Sequence, residues 1–546
     1  MTQSGSSRST APAIQVPLQL LLGIVVATVF LLMRVGLVWQ APVGGEELSS
    51  LSGAWQATSG NHDGRFIPTL FQALASLLLG IRDTEVLPRI LVFAASASIP
   101  LAFHLLRPTF GAAAGLIALL LLALDGPAIY TGVAATVSGF DLALLAWAFV
   151  LLAREDLRER VPFWAYGGIG FAFATGGALV LPLVFALAAT DSLPSWRNPT
   201  RARIVLVAGA AIGIGAASLG FGYGWDGFVV PPIAAFSSTF GGDEMGLASG
   251  NVVIIYSWPL LIAGLLGAAL LVRDRDSLRR VEWTLLTWTA AGLAWLIAAA
   301  GEPTVMPVAA LSLPLALLAA PAILAGVESA RQADWSVARV AIPVGALLVV
   351  VAGAYMADWG RMDRAGDAAD VARVVALLSA GIAAFAVAAV EARSRATLVV
   401  PALAAGAVVL LVGGFGVGLS SVNEPLPSPV SPESARVLRA LALETQGARG
   451  GEIVLHPQFG DEIVWPFRDS GDIIIASRVP AEASVVLWPI DTAQPDGFVL
   501  VEGDWSLLDW PAAPTADWLQ YIRWYVDRNA LSASHTRLAV YIRPEQ

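Results

Sequence analysis

"PLQLLLGIVVATVFLLMRVGLVWQAPVGGEELSS", residues 17–50, places a run long enough to cross a bilayer directly before an acidic pair. From Pro17 to Trp39 the only charged side chain is Arg34. The run is longer than the roughly 7–15 apolar residues of a signal-peptide core, and no small-residue cleavage motif follows it. It therefore reads as a retained membrane span. The loop that follows continues as "LSGAWQATSGNHDGRF" (51–66), so Glu46, Glu47, His62, Asp63 and Arg65 stand close together behind that span.

Working outward, similar Ala/Leu/Val/Gly runs recur from Val16 to Ser420, with charge confined to the gaps between them. This is the pattern of an α-helical multi-pass membrane protein. A transmembrane barrel would show short alternating segments instead. The chain is 56% hydrophobic and carries a net charge of −10. Much of that charge is local: from Asn423 onward there are 17 Asp/Glu against 9 Arg. An acidic balance of this kind argues against nucleic acid as a partner.

The absence of cysteine excludes disulfides, thiolate nucleophiles and Cys-ligated metals. Lysine is absent too, so all 32 basic residues are arginines. Neither a phosphate-binding-loop lysine nor a Schiff base is available, and guanidinium is the sole permanent cation for gripping phosphate. The four histidines are not paired at metal-ligand spacing. The residues imply no metal site and no cofactor, and a divalent cation at Asp243/Glu244 is the one weak alternative.

Arginine placement sets the topology. Basic loops at 154–160, 195–203, 273–280, 328–339 and 391–395 alternate with acidic or neutral ones at 40–85, 222–250, 301–307 and 358–370. The alternation fails only between the first two basic loops. There, 161–190 with Gly176-Gly177 and Pro182 reads either as a re-entrant helix pair or as one long tilted span. With the re-entrant pair, the sequence has about eleven spans, a cytoplasmic N-terminal tail (1–16), and a transmembrane domain over 17–420 with its outer loop at 40–85. Residues 421–432 form a Pro-rich linker. Beyond it, 433–546 alternates strand-like runs ("EIVLHP", "DIIIAS", "SVVLWP", "FVLVEGD", "RLAVYIR") with helix candidates at 431–446 and 515–529. Such alternation predicts a small, largely parallel α/β domain, placed outside the plasma membrane by the arginine rule.

Individual residues carry two readings each. Glu46 and Glu47 suit a general base at headgroup level, or a solvated loop edge. His62, Asp63 and Arg65 suit the phosphate end of a lipid-linked donor, or a polar loop. Arg34, inside a span, faces a polar cavity or snorkels to the surface. Asp141 suits a site or a helix-dipole interaction at a helix start, and Glu302 stands in a short loop otherwise free of charge. Asp125 marks the turn at Gly126-Pro127.

The order of these motifs resembles the GT-C superfamily of membrane glycosyltransferases, which includes the dolichyl-phosphate-mannose–protein mannosyltransferases. Within it, the chain is most similar to the flippase-activity-associated family, whose members add a periplasmic α/β tail. The family's opening His-Asp-Glu falls on Gly45-Glu46-Glu47, and its "HGP" segment on His62-Asp63-Gly64. Its Arg-His-Asp element falls on Gly139-Phe140-Asp141, its "ATKE" on Ala174-Thr175-Gly176-Gly177, and its "GEKMPW" on "GEPTVMPV" (301–308). In the tail, "WPFRD" (465–469) and "YIRWYVDR" (521–528) match its Trp-Pro and Trp/Arg-rich elements. Several charged motif positions are lost here.

The resemblance implies a polyprenyl-phosphate sugar as donor, an acceptor (glycan, lipid or protein) on the outer face, and membrane lipids as the surroundings. It places the catalytic base at Glu46, with Glu47 beside it. The donor contacts would come from His62, Asp63, Arg65, Arg34, Asp141 and Glu302. The thinning of charge leaves a second expectation: a catalytically degenerate relative that binds lipid-linked sugars or assists their translocation.

Overall fold

A computed structural model describes chiefly residues 18–40, 70–81, 85–157, 178–191, 249–273, 278–301, 305–331, 452–456, 473–490, 492–509 and 534–544, with short runs and single positions between them. The segments 201–248 and 510–533, and most of 332–437, lie outside the described residues.

Among the described residues, 6 helices are long and apolar enough to cross a membrane. They cover Leu18–Trp39, Val86–Leu105, Val137–Arg154, Ser249–Arg273, Arg280–Ala298 and Met306–Glu328. Of the other spans expected from the sequence, the run at 112–131 forms a shorter apolar helix, Ala112–Leu124, broken before Gly126, and the rest fall mostly outside the described residues. Of the stretch 161–190, the second half forms helix Leu181–Asp191, only 11 residues long. At 1.5 Å per residue that is roughly 16 Å, about half a bilayer core. Most of the first half lies outside the described residues, as does the helix candidate at 515–529.

Eight helices matter below: α1 (Leu18–Val35), α2 (Val86–Ser96), α3 (Ile99–Leu105), α4 (Ala112–Leu124), α5 (Gly126–Thr131), α6 (Val137–Leu157), α7 (Trp258–Arg273) and α8 (Met306–Arg331). The break between α4 and α5 follows from local chemistry. Pro127 cannot donate to the preceding turn, so the helix stops, and Asp125 takes extended geometry (φ −75, ψ 115). Its carboxylate then accepts from the Ala128 amide at 3.2 Å and starts α5 as an N-cap. Gly126 permits the kink to nest against Tyr256, whose ring would lie 2.8 Å from any Cβ placed there.

A five-residue π-turn, Val253–Ser257, leads into α7 ahead of Pro259. The proline has no N–H and its ring crowds the carbonyl four residues back, which the wider turn accommodates. The packing of α7 on α8 depends on small residues, as expected where no water drives helices together. A Cβ on Gly267 would sit 1.8 Å from the Leu318 carbonyl oxygen, so the two backbones meet there without side chains between them.

The tail forms a five-stranded sheet in the order β2-β1-β3-β5-β4. Its strands are β1 (Glu452–Leu455), β2 (Ile473–Ile475), β3 (Ala483–Pro489), β4 (Val499–Asp509) and β5 (Ser534–Ile542). β1 pairs in parallel with β2 and β3, whereas β5 pairs antiparallel with both β3 and β4. The sheet is therefore mixed, not largely parallel. Alternation of strands and helices predicts crossovers, but it does not fix the direction in which a last strand is inserted. The first half follows the parallel expectation; β5 enters between β3 and β4 and reverses it.

The Gly267 contact generates a test. Gly267→Leu should lower the stability of the detergent-purified protein by about 1–3 kcal/mol through overpacking. Thermal unfolding followed by circular dichroism reads this, with Gly301→Ala, which meets open space, as the neutral control.

Candidate functional site

The acidic loop is pinned to the helices by one buried ion pair. Arg89 on α2 donates from Nε to Glu47 Oε1 at 2.6 Å and from Nη2 to Oε2 at 2.7 Å. The Ala135 amide, between α5 and α6, adds a third bond to Oε1 at 2.8 Å. Both side chains are buried, at 0% and 1% exposure. A bidentate guanidinium–carboxylate pair is the strongest common form of charged hydrogen bond, and its planar geometry fixes orientation as well as distance. Here it fixes the start of the loop behind the first span against α2 and the α5–α6 junction.

Around the pair lies an apolar cluster of Leu51, Ala54, Phe71, Ala75, Val92, Ala135 and Trp465. Trp465 comes from the tail. Two residues on, Phe467 enters the core of the sheet beside Ile453, Leu455, Val485 and Leu487. The single turn Trp465–Phe467 thus joins the sheet domain to the loop that carries Glu47.

A second polar centre sits at the α4/α5 break. Asp125, fully buried, accepts from Ser257 Oγ at 2.6 Å and from Ser312 Oγ at 2.5 Å, in addition to its own cap. Arg34 on α1 donates to the carbonyls of Phe30, Leu122 and Ala128 at 3.0, 3.3 and 3.1 Å, and its guanidinium stacks 3.6 Å from the Phe30 ring centroid. It is 0% exposed, so it points into the bundle and does not snorkel. The Leu122 carbonyl lies in the last turn of the interrupted helix, where the ladder leaves an acceptor over, whereas the Ala128 carbonyl also accepts from the Gly132 amide.

The residues singled out from sequence thus separate. Glu47 and Arg34 are both buried and engaged with protein groups. Asp141 is buried on α6, four residues past that helix's start and close in sequence to the Ala135 amide that bonds Glu47. Glu46, His62, Asp63, Arg65 and Glu302 lie outside the described residues. Among the described residues no cluster of three His, Asp or Glu forms a metal-binding group. Sequence reading missed Arg89, which looks like the ordinary charged first turn of a span; only its survival inside an apolar run ("VLPRILVF", 86–93) hints at a partner.

No protein-family model and no curated protein sequence matches the chain. Among solved structures, the fold matches ArnT from Cupriavidus metallidurans bound to undecaprenyl phosphate. The TM-score is 0.54 at 13% identity, covering 96% of this chain and 99% of that one. The apo state of the same protein matches at a TM-score of 0.53 and 14% identity, with the same coverage. The chain therefore shares the fold of these structures over nearly the full length of both chains.

Removing one partner of the buried pair strands the other charge, so Glu47→Ala or Arg89→Ala should each cost about 3–5 kcal/mol. The double variant Glu47→Ala/Arg89→Ala should cost clearly less than the sum of the two single variants. Thermal unfolding of the purified set measures this; single effects that simply add in the double would mean the two residues are not coupled.

Proposed function

We propose that the protein is a membrane glycosyltransferase that moves a sugar from a polyprenyl-phosphate carrier to an acceptor at the outer face. The observation that carries this reading is the full-length likeness to ArnT, whose undecaprenyl-phosphate complex is one of the matching structures. The local geometry adds a reason to look at the outer loop. Glu47 is committed to Arg89 and Ala135, so it serves as an anchor and the general-base role falls to its neighbour Glu46.

In this reading Glu46 accepts the acceptor hydroxyl's proton as the oxygen attacks the sugar carbon, and the phosphate carrier leaves from the opposite face with inversion. His62 and Arg65 hold the leaving phosphate, since guanidinium and imidazole match its charge and donor geometry. Asp63, Asp141 and Glu302 complete the polar wall. Arg34, spent on backbone carbonyls, supports the site from beneath by holding the α4/α5 break. The sheet domain, joined through Trp465 to the loop's own cluster, stands over that same end of the bundle, which the placement of arginine-rich loops makes the outer face.

A specific observation favours the second reading, a degenerate relative that binds or helps translocate lipid-linked sugar. Two of the charged residues matched to the family pattern or placed within a span, Glu47 and Arg34, are occupied by structural bonds.

The two readings separate on one variant. Glu46→Gln should lower sugar transfer by at least about 100-fold while leaving binding of the lipid-linked sugar unchanged. Binding without transfer in the native protein, weakened by Arg65→Ala, would establish the degenerate reading instead. The sidedness has its own check. A cysteine at exposed Ala493, in a chain with no native thiol, should react with a membrane-impermeant reagent in intact cells. Labelling only after permeabilisation would invert the topology.

A further inference from the structure

At the other end of the same helices lies a groove of about 330 Å³. It runs between the N-terminal half of α1, the C-terminal part of α3 with the turn after it, and the start of α4. It exists because small residues stand where side chains would fill it: Gly23 and Ala27 on α1, and Gly115 on α4. Its walls are apolar, and its neighbours Ile24 and Leu101 are 54% and 56% exposed, as expected of a surface bathed in lipid chains.

One end of the groove is charged. Arg107 lies there, half-buried, and donates from Nη2 to Gln19 Oε1 at 2.7 Å. Gln19 is the only side-chain acceptor it meets among the described residues, so guanidinium donors remain. His104 stands one turn earlier on the same rim. Eighteen residues of nearly continuous helix separate Arg107 from Arg89, roughly 27 Å of rise. The groove therefore opens in the opposite leaflet from the Glu47 loop and the sheet domain.

An apolar slot facing lipid, closed at headgroup depth by a cation that forms planar charged hydrogen bonds, is complementary to a phosphate ester carrying a hydrocarbon chain. The leaflet identifies the source. A carrier serving the Glu47 end would present its phosphate about a bilayer away. We propose that this groove binds an anionic glycerophospholipid from the leaflet at the N-terminal end of α1, its acyl chain along Gly23 and Gly115 and its phosphate on Arg107. The site is separate from the sugar-transfer reading and does not depend on it.

The test uses the full-length protein purified in detergent and titrated with dioleoyl-phosphatidylglycerol or dioleoyl-phosphatidylcholine, with bound lipid counted by native mass spectrometry. The native protein should retain the anionic lipid about tenfold more strongly, the size expected of one charge-assisted hydrogen-bonded contact. Arg107→Gln should abolish that preference, Arg107→Lys should keep part of it, and Gly23→Leu should weaken both lipids by filling the slot. Equal retention of the two lipids by the native protein, or a preference that survives Arg107→Gln, overturns the proposal. So does displacement of phosphatidylglycerol by undecaprenyl phosphate with an advantage lost in Arg107→Gln, because the groove would then belong to a polyprenyl carrier.

Discussion

A carboxylate and a guanidinium buried together must satisfy each other, and the Glu47–Arg89 pair is the constraint on which the loop end of this protein rests. Two charges taken out of water lose several kcal/mol of hydration apiece, which only close, fully hydrogen-bonded contact recovers. Here the pair is bidentate, and the Ala135 amide takes a further lone pair of the carboxylate. The need for that contact holds the loop behind the first span against α2 and the α5–α6 junction. A loop of mostly small and polar residues would otherwise have little to fix it.

The same logic operates one layer deeper. Breaking α4 at Gly126-Pro127 frees backbone carbonyls and amides inside an apolar bundle, where nothing but protein can meet them. Arg34 takes the Leu122 carbonyl and shares that of Ala128, and Asp125 takes an amide, while Ser257 and Ser312 from two other helices supply the remaining donors to the carboxylate. Three separate segments are thereby tied to one kink. The opposite charges of Arg34 and Asp125 also attract each other within the same buried cluster, which offsets part of the cost of burying them.

Much of this fold was legible in the sequence because hydropathy reports what each segment touches. The first span, five further charge-poor runs and the strand-like "EIVL" and "SVVLWP" appear among the described residues where periodicity and composition place them. Pairings were not legible, since they depend on distance in space. Glu47 meets an arginine 42 positions away, and nothing in "VLPRILVF" names its partner. Arg34 reads equally as a snorkelling or an inward residue until the helix break beside it is known. Asp125 looks like a turn marker; that it also gathers two serines from segments more than 130 positions away could not be read from local spacing. The sheet's last strand failed for a related reason, because direction of insertion is a property of the whole sheet.

The turn Trp465–Phe467 explains why a soluble domain and a membrane loop belong to one device. Tryptophan brings a large apolar surface into the cluster around Leu51 and Phe71, and phenylalanine brings another into the sheet core, with only Pro466 between them. Proline fixes its own φ and restricts the residue before it, so the two aromatic anchors cannot swing independently. Each core thus holds one end of a stiff three-residue link. Since the membrane-side cluster includes Ala135, the residue whose amide bonds Glu47, the position of the sheet and the position of the acidic loop are set by the same packing. Any motion that lifts the sheet from the bundle must withdraw Trp465 from the neighbourhood of the buried pair, and the geometry of the loop changes with it.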